Sequence, residues 1–303
     1  MTTVKNYLSL IKFSHTIFAM PFAMIGFFLA ATPLIKSFFD TELITVEQFS
    51  AGDLWVKFGL VVLCMVFARS AAMAFNRYLD RKFDGLNPRT AIREIPAGIL
   101  KADSVLWFTI ICSILFMVCA GLINRLCLYL SPVALLVVLG YSYTKRFTPL
   151  CHLVLGLGLS LAPIGAYLAV TGRFDWLPIL FSIAVITWVS GFDIIYALQD
   201  EEFDRSHRLN SIPVWLGKVK ALRFSEFLHL ISAASVITAG FIGSFGWLYW
   251  VGVVIFAGCL IYQHSIVKPN DLRRVNIAFM TANGIASVVF AAFVIADLFI
   301  LKF

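Results

Sequence analysis

Two aspartate pairs with the same helical spacing, Asp80/Asp84 and Asp200/Asp204, each close a strongly apolar segment in a chain with only 17 acidic residues among 303. An offset of four puts both members of a pair on one face of a helix. The first stripe continues upstream through Asn76 to Arg69, and the second to Asp193 with Tyr196 beside it. Any single aspartate at the end of an apolar helix is accounted for as a solvated terminus. Two stripes that extend into apolar sequence are not, because ionisable groups there are costly without a partner or a cavity. Mg²⁺ prefers oxygen ligands, retains water and is commonly completed by substrate phosphates. The chemistry expected of two such clusters is a pair of Mg²⁺ ions bridging an organic diphosphate.

The elements that must hold these residues are membrane helices. The chain is 60% hydrophobic with a mean hydropathy of +0.90, and it repeatedly shows apolar runs long enough to cross a hydrocarbon layer of roughly 30 Å. Nine spans are expected, near 14–34, 56–79, 103–123, 126–143, 152–172, 176–198, 222–242, 245–267 and 275–300, so the fold class is all-α and polytopic. The first run is too long for a secretory h-region and is read as a retained helix. The stretch 35–55 reads as an external loop. Eighteen of the 24 lysines and arginines fall on the side of the N-terminus, five fall opposite and Arg69 lies within a span. That asymmetry predicts a cytoplasmic N-terminus, with both acidic pairs at one cytoplasmic mouth. The same distribution accounts for the net charge of +7 without nucleic acid, since the basic residues sit in short loops and form no continuous stripe. An offset of 120 superposes Asn76, Asp80 and Asp84 on Tyr196, Asp200 and Asp204, a weak hint of an internal repeat. The six cysteines lack metal spacing and read as small core residues.

Three further groups carry a functional reading beside a bland one. Arg89 and Arg93 follow the first acidic pair and are placed to meet phosphate. Tyr141, Tyr143, Lys145 and Arg146 end the fourth span, either as a positive-inside anchor with interfacial tyrosines or as hydrogen-bond donors and cations for a leaving diphosphate. Arg69 and Asp193, deeper than the pairs, either orient an acidic aromatic acceptor or bridge one another. His15 reads as an interfacial histidine, and His152, His207, His229 and His264 show no shared ligand spacing. The 29 Phe could wall a channel for an apolar tail but identify no single site.

The segments Asn76-x3-Asp80-x3-Asp84, Asn87-Pro-Arg89-Thr90-x2-Arg93-x2-Pro96-x-Gly98 and Asp193-x2-Tyr196-Ala-x2-Asp200-x3-Asp204 resemble the paired aspartate motifs of the UbiA superfamily of intramembrane prenyltransferases. Within it the chain is most similar to the 4-hydroxybenzoate polyprenyltransferase group, including a branch of the menaquinone route with Ser14-His-Thr-Ile-Phe and Ser211-Ile-Pro213. The resemblance implies a nine-helix bundle formed by residues 1–303 as a single transmembrane domain, in a bacterial inner membrane. It implies transfer of a polyprenyl group from its diphosphate to a phenolic acid, with two Mg²⁺ held through Asn76, Asp80, Asp84, Asp200 and Asp204. Arg89, Arg93, Lys145 and Arg146 would neutralise the departing diphosphate, and Asp193 would orient the phenol or take a proton. Two departures stand out: Glu94 follows Arg93 where the family often has proline, and Asn210 stands where many benzoate enzymes carry a lysine, a charge that Arg205 or Arg208 could supply. The other readings are prenylation of 1,4-dihydroxy-6-naphthoate, a porphyrin-derived or lipid acceptor, and a cation-coupled transporter, for which intramembrane acids and an internal repeat would also serve.

Overall fold

A computed structural model describes residues 2–11, 18–39 and 51–300; His15 and the centre of the expected 35–55 loop lie outside them. The described residues are helical and contain no β-strand. They form α1 (Thr2–Leu10), α2 (Met20–Phe39), α3 (Ala51–Leu86), α4 (Ala102–Ile123), α5 (Arg125–Thr144), α6 (Cys151–Thr171), α7 (Trp176–Ala197), a short 3₁₀ turn (Leu198–Asp200), α8 (Glu201–Ser206), α9 (Ile212–Ile242), α10 (Trp247–Ile266), a π-turn (Ile277–Ala282) and α11 (Asn283–Ile300). Among them, eight helical segments are long and apolar enough to cross a membrane, and Met20–Ile35 of α2 is a shorter apolar helix in the place of the first expected span. This agrees approximately with nine spans.

Lipid gives apolar helices no reason to prefer one another, so packing has to come from close approach and buried hydrogen bonds. Gly156 shows how. A β-carbon there would lie 2.5 Å from both the Ile186 carbonyl oxygen and Ser190 Oγ, so only glycine lets α6 and α7 meet at this depth. Ser190 Oγ then donates to the His152 carbonyl at 3.1 Å, Ser182 Oγ to the Ser160 carbonyl at 2.8 Å and Ser225 Oγ to the Gly191 carbonyl at 2.7 Å, tying α6, α7 and α9 in series. Aromatic rings fill the space between α2, α7, α10 and α11, where Phe22, Trp188, Phe256 and Phe290 are fully buried against one another.

Two departures from the expected spans decide where the site sits. The 36-residue α3 runs about 54 Å at 1.5 Å per residue, far more than the hydrocarbon needs, and its last turns carry Asn76, Asp80 and Asp84 beyond the apolar segment. The connection expected at 199–221 is instead mostly helical: α7 tightens into the 3₁₀ turn, restarts as α8, and α9 begins at Ile212 under a Ser211 N-cap. The chain also has α1, which the hydropathy pattern did not single out. It lies along the loop after α3, with Ser9 Oγ donating to Glu94 Oε1 at 2.6 Å and Tyr7 against Phe108.

Candidate active site

The two acidic stripes converge on one cavity of about 630 Å³, lined from α3, α5, α6, α7, α8 and the loop at 87–94. Asn76, Asp80, Asp84, Asp193, Asp200 and Asp204 all line it, together with Arg69, Arg89, Arg93, Tyr141, Lys145 and Tyr196. Arg146 stands just behind the wall. Arg205 and Arg208 do not reach the cavity; Arg205 is held by Glu201 Oε1 at 2.6 Å, so neither supplies the missing lysine charge, and Asn210 itself is part of the lining.

The first motif stays on one unbroken helix, as its spacing requires. Asn76 Nδ2 donates to Asp80 Oδ2 at 3.3 Å and lies 3.4 Å from Ser142 Oγ on α5. Asp80 is buried and takes two cations from the end of α5, Lys145 Nζ at 2.8 Å and Arg146 Nη2 at 3.1 Å. Past α3 the chain folds back sharply, with the Arg89 backbone N–H donating to Asn87 Oδ1 at 2.9 Å and Thr90 Oγ1 to the Asp84 carbonyl at 3.0 Å. This turn delivers Arg93 Nη1 to Asp84 Oδ1 at 2.6 Å. It also aims Arg89 across the cavity at the second motif, where the guanidinium donates to both oxygens of Asp200 and, at 2.9 Å, to the Tyr196 hydroxyl. Burial opposes the charge on Arg89, but Asp200 and Tyr196 outweigh it and hold its pKa above the ordinary arginine value.

The second motif does not keep the straight stripe that its spacing suggested. Asp193 lies on α7, Asp200 ends the 3₁₀ turn and Asp204 lies on α8, so the three aspartates step around the wall. The suggested bridge between Arg69 and Asp193 does not form. Asp193 Oδ2 instead meets His152 Nδ1 at 2.7 Å, and Arg69, whose Nε is buried without a hydrogen-bond partner, has no ion-pair partner among the described residues. His152 was passed over in the sequence because its spacing to the other histidines means nothing; the signal it did carry was an imidazole at the start of an apolar span. Phe279, also missed, lies on the π-turn and packs at a tilt of 33° against Tyr196 with ring centroids 4.3 Å apart.

Behind this mouth lies a second cavity of about 370 Å³ between α3, α4, α5 and α6, whose lining is almost wholly apolar. Arg69, Met73, Tyr141, Leu155 and Leu159 line both spaces. A charged chamber and an oily one therefore adjoin at these residues.

The chain matches the UbiA prenyltransferase family over residues 19–285. It belongs to that family. A 4-hydroxybenzoate octaprenyltransferase of Tolumonas auensis is 31% identical over 248 residues, covering 82% of this chain and 86% of the relative, and that of Aliivibrio salmonicida is 31% identical over 242 residues, 78% and 83% of the two chains. Among solved structures, an apo UbiA homolog from Aeropyrum pernix K1 shares the fold with a TM-score of 0.76 at 28% identity, covering 95% of this chain and 98% of its own. A UbiA homolog from Archaeoglobus fulgidus bound to GPP and Mg²⁺ gives 0.74 at 20% identity, with coverage of 97% and 99%. This UbiA-family chain is thus an integral membrane prenyltransferase.

The family's ion has to fit the donors present. Among the described residues no three imidazole, thiolate or carboxylate groups form a preformed cage. The cavity instead offers carboxylate and amide oxygens from two walls, and Asp84 Oδ2 is buried with no hydrogen-bond partner. An oxygen-only set that needs completion from the substrate suits Mg²⁺ better than a thiophilic metal.

Proposed function

We propose that this protein transfers a polyprenyl group from polyprenyl diphosphate to 4-hydroxybenzoate, the acceptor named for the relatives above, in ubiquinone biosynthesis. The observation that carries the reading is the junction of the two cavities: a chamber with aspartates and cations on facing walls shares lining residues with an adjoining apolar space of the right character for an isoprenoid. Asn76, Asp80 and Asp84 on one wall and Asp200 and Asp204 on the other would hold Mg²⁺, two ions in this reading. When bound, the ions neutralise the diphosphate and make it a better leaving group.

The chain's own residues do the rest. Arg89, Arg93 and Lys145 already touch carboxylates, so a diphosphate arriving with its cations can take these donors over while the aspartates turn to the metal. Charge is exchanged within the chamber and need not be desolvated anew. Tyr141, at the junction, and Arg146, backing Asp80, complete the phosphate end, and Tyr196 holds Arg89 in place. Arg69, lacking an ion-pair partner of its own and facing both spaces, pairs with the acceptor carboxylate. The phenolic ring then lies against the allylic carbon, and its hydroxyl directs attack to the ortho position. Apolar surroundings keep water from the allylic cation. The asymmetry of basic residues supports a cytoplasmic N-terminus and mouth, and the bacterial relatives support the inner membrane.

The test is purified protein in lipid with Mg²⁺, labelled polyprenyl diphosphate and 4-hydroxybenzoate. Prenylated benzoate with stoichiometric diphosphate release, abolished by EDTA and restored by Mg²⁺, is the expected result. Product from 1,4-dihydroxy-6-naphthoate alone would reassign the acceptor, and no diphosphate release with either would overturn the reading.

A further inference from the structure

The π-turn that carries Phe279 needs a donor to hold it, and we infer that Asn283 is that donor and a positioning residue for the prenyl diphosphate site, acting through Phe279 and Tyr196 on the Arg89–Asp200 pair. The inference rests on the prenyl-transfer reading. Ile277–Ala282 form the π-turn and α11 starts at Asn283. A helix that widens to i→i+5 bonding and then returns to i→i+4 leaves carbonyls out of register where the two meet. Such a turn persists where another group takes those carbonyls. Asn283 Nδ2 does so, donating to the Ala278 carbonyl at 3.1 Å and to the Phe279 carbonyl at 3.0 Å.

The other end of the amide fixes which way it faces. Trp188 Nε1 donates to Asn283 Oδ1 at 2.9 Å, and Gln263 Nε2 donates to the same oxygen at 2.8 Å. An indole N–H can only donate, so the oxygen must face Trp188 and the NH₂ must face the turn. All four hydrogen-bonding positions of the amide are then filled, in a side chain with no exposed surface. Trp188 belongs to α7 and Gln263 to α10, so one amide pins the turn to both helices. Asn283, Trp188 and Gln263 do not line the charged chamber, whereas Phe279 does.

The ring on this turn backs the second wall. Phe279 lies 4.3 Å from Tyr196, 5.5 Å from Phe192 and 5.4 Å from Phe18, centroid to centroid. Phe192 packs edge-on against Trp188 at 5.2 Å, so the indole that orients the amide also supports the ring that the amide positions. Tyr196 accepts from Arg89 at 2.9 Å, and Arg89 holds Asp200. Relaxation of the turn to an ordinary α register would re-aim Phe279, let the Tyr196 ring tilt and weaken the grip of Arg89 on the second aspartate motif.

The experiment compares wild type, Asn283→Leu, Asn283→Thr, Gln263→Leu, Phe279→Ala and the double variant Asn283→Leu/Phe279→Ala in lipid. Binding of geranyl diphosphate with Mg²⁺ and no acceptor is read by calorimetry, and the acceptor KM by product formation. Expected in Asn283→Leu is a diphosphate Kd raised about fivefold, the scale of one lost hydrogen bond, with the acceptor KM unchanged. Asn283→Thr should recover most of the binding, because its hydroxyl can bond the carbonyl four residues back as Thr187 bonds that of Ile183. Gln263→Leu removes a donor on the far side of the amide, together with a buried oxygen that has no hydrogen-bond partner. Trp188 still orients Asn283 there, so the Kd should stay at the wild-type value. Phe279→Ala should bind like Asn283→Leu, and the double variant no worse than either. Effects that add in the double variant, a Kd rise reproduced by Gln263→Leu, or a threonine variant no better than the leucine one would overturn the inference. So would an unchanged Kd in Phe279→Ala, a result that holds even where Asn283→Leu does not fold. A wild type that binds no prenyl diphosphate would instead fail the parent reading, and is seen separately.

Discussion

The two walls of the chamber carry the same residue types on different supports. On the first, Asn76, Asp80 and Asp84 ride an uninterrupted helix and are gripped from α5 and the 87–94 loop. On the second, a 3₁₀ turn separates Asp193 on α7 from Asp204 on α8, and Asp200 is held by Arg89 and Asn87, both reaching over from the loop on the other side. A rigid wall fixes position, whereas a jointed wall whose Asp200 is ion-paired with Arg89 can adjust when a ligand takes that arginine away. The first motif therefore reads as the anchor of the diphosphate site and the second as the part that closes on it.

The largest effect should come from removing a carboxylate from either wall. Asp80→Asn leaves Lys145 and Arg146 facing a neutral amide, and Asp200→Asn does the same to Arg89. Each should lower Mg²⁺-dependent diphosphate release by about three orders of magnitude, within the range for losing a preorganised electrostatic group. The comparison is sharpened by apparent Mg²⁺ affinity: the anchor variant should lose it outright, while the adjustable wall should recover part of its rate at high Mg²⁺. Equal behaviour of the two would remove the distinction between the walls. Next in size is Arg69→Met, expected to raise the acceptor KM by about ten- to 100-fold through loss of a charge-assisted pair while leaving KM for the diphosphate unchanged. Because a buried arginine without an ion-pair partner is itself costly in a membrane, the variant's Tm should not fall. A fall in Tm with an unchanged acceptor KM would make Arg69 structural. Ala134→Phe, in the lining of the apolar cavity but not of the charged one, should cost less, about tenfold, and only for long tails. It is measured as the ratio of kcat/KM for a long and a short prenyl diphosphate.

How much of this could be read from the chain follows the same division. Apolar length and helical spacing are local properties, so the membrane helices, the inward stripe Arg69–Asn76–Asp80–Asp84 and the cations of the 87–94 loop were legible. Pairing across helices is not local. Nothing in the spacing of His152 points to Asp193, because their meeting depends on how closely α6 and α7 pack, which is set one turn beyond His152 where Gly156 admits Ser190. The break at Leu198–Asp200 was hidden for a similar reason: Asp193, Asp200 and Asp204 keep helical intervals in sequence even though the backbone restarts between them. The short α1 escaped because a nine-residue helix leaves too brief a pattern beside the long spans, and its role becomes visible only when Ser9 meets Glu94.

The smallest effect tests the brace that sets the second wall. Tyr196 gives Arg89 an acceptor at its hydroxyl and a ring face, with the guanidinium carbon 5.3 Å from the ring centroid, and Phe279 backs that ring. Tyr196→Phe removes only the hydroxyl. One hydrogen bond to a charged donor is worth about 1.5–3 kcal/mol at most, but Arg89 keeps Asp200, and the ring keeps both its packing partner and its cation. The expected loss is therefore a few-fold in kcat/KM for the diphosphate, with coupling between diphosphate release and product intact. Phe279→Ala should reproduce it from the other side of the ring. If the two substitutions are additive in the double variant, hydroxyl and backing ring act independently on Arg89; a double variant no worse than either single one means that they work as one brace. That second outcome is the expected one, since a ring free to tilt carries its hydroxyl away from the guanidinium with it.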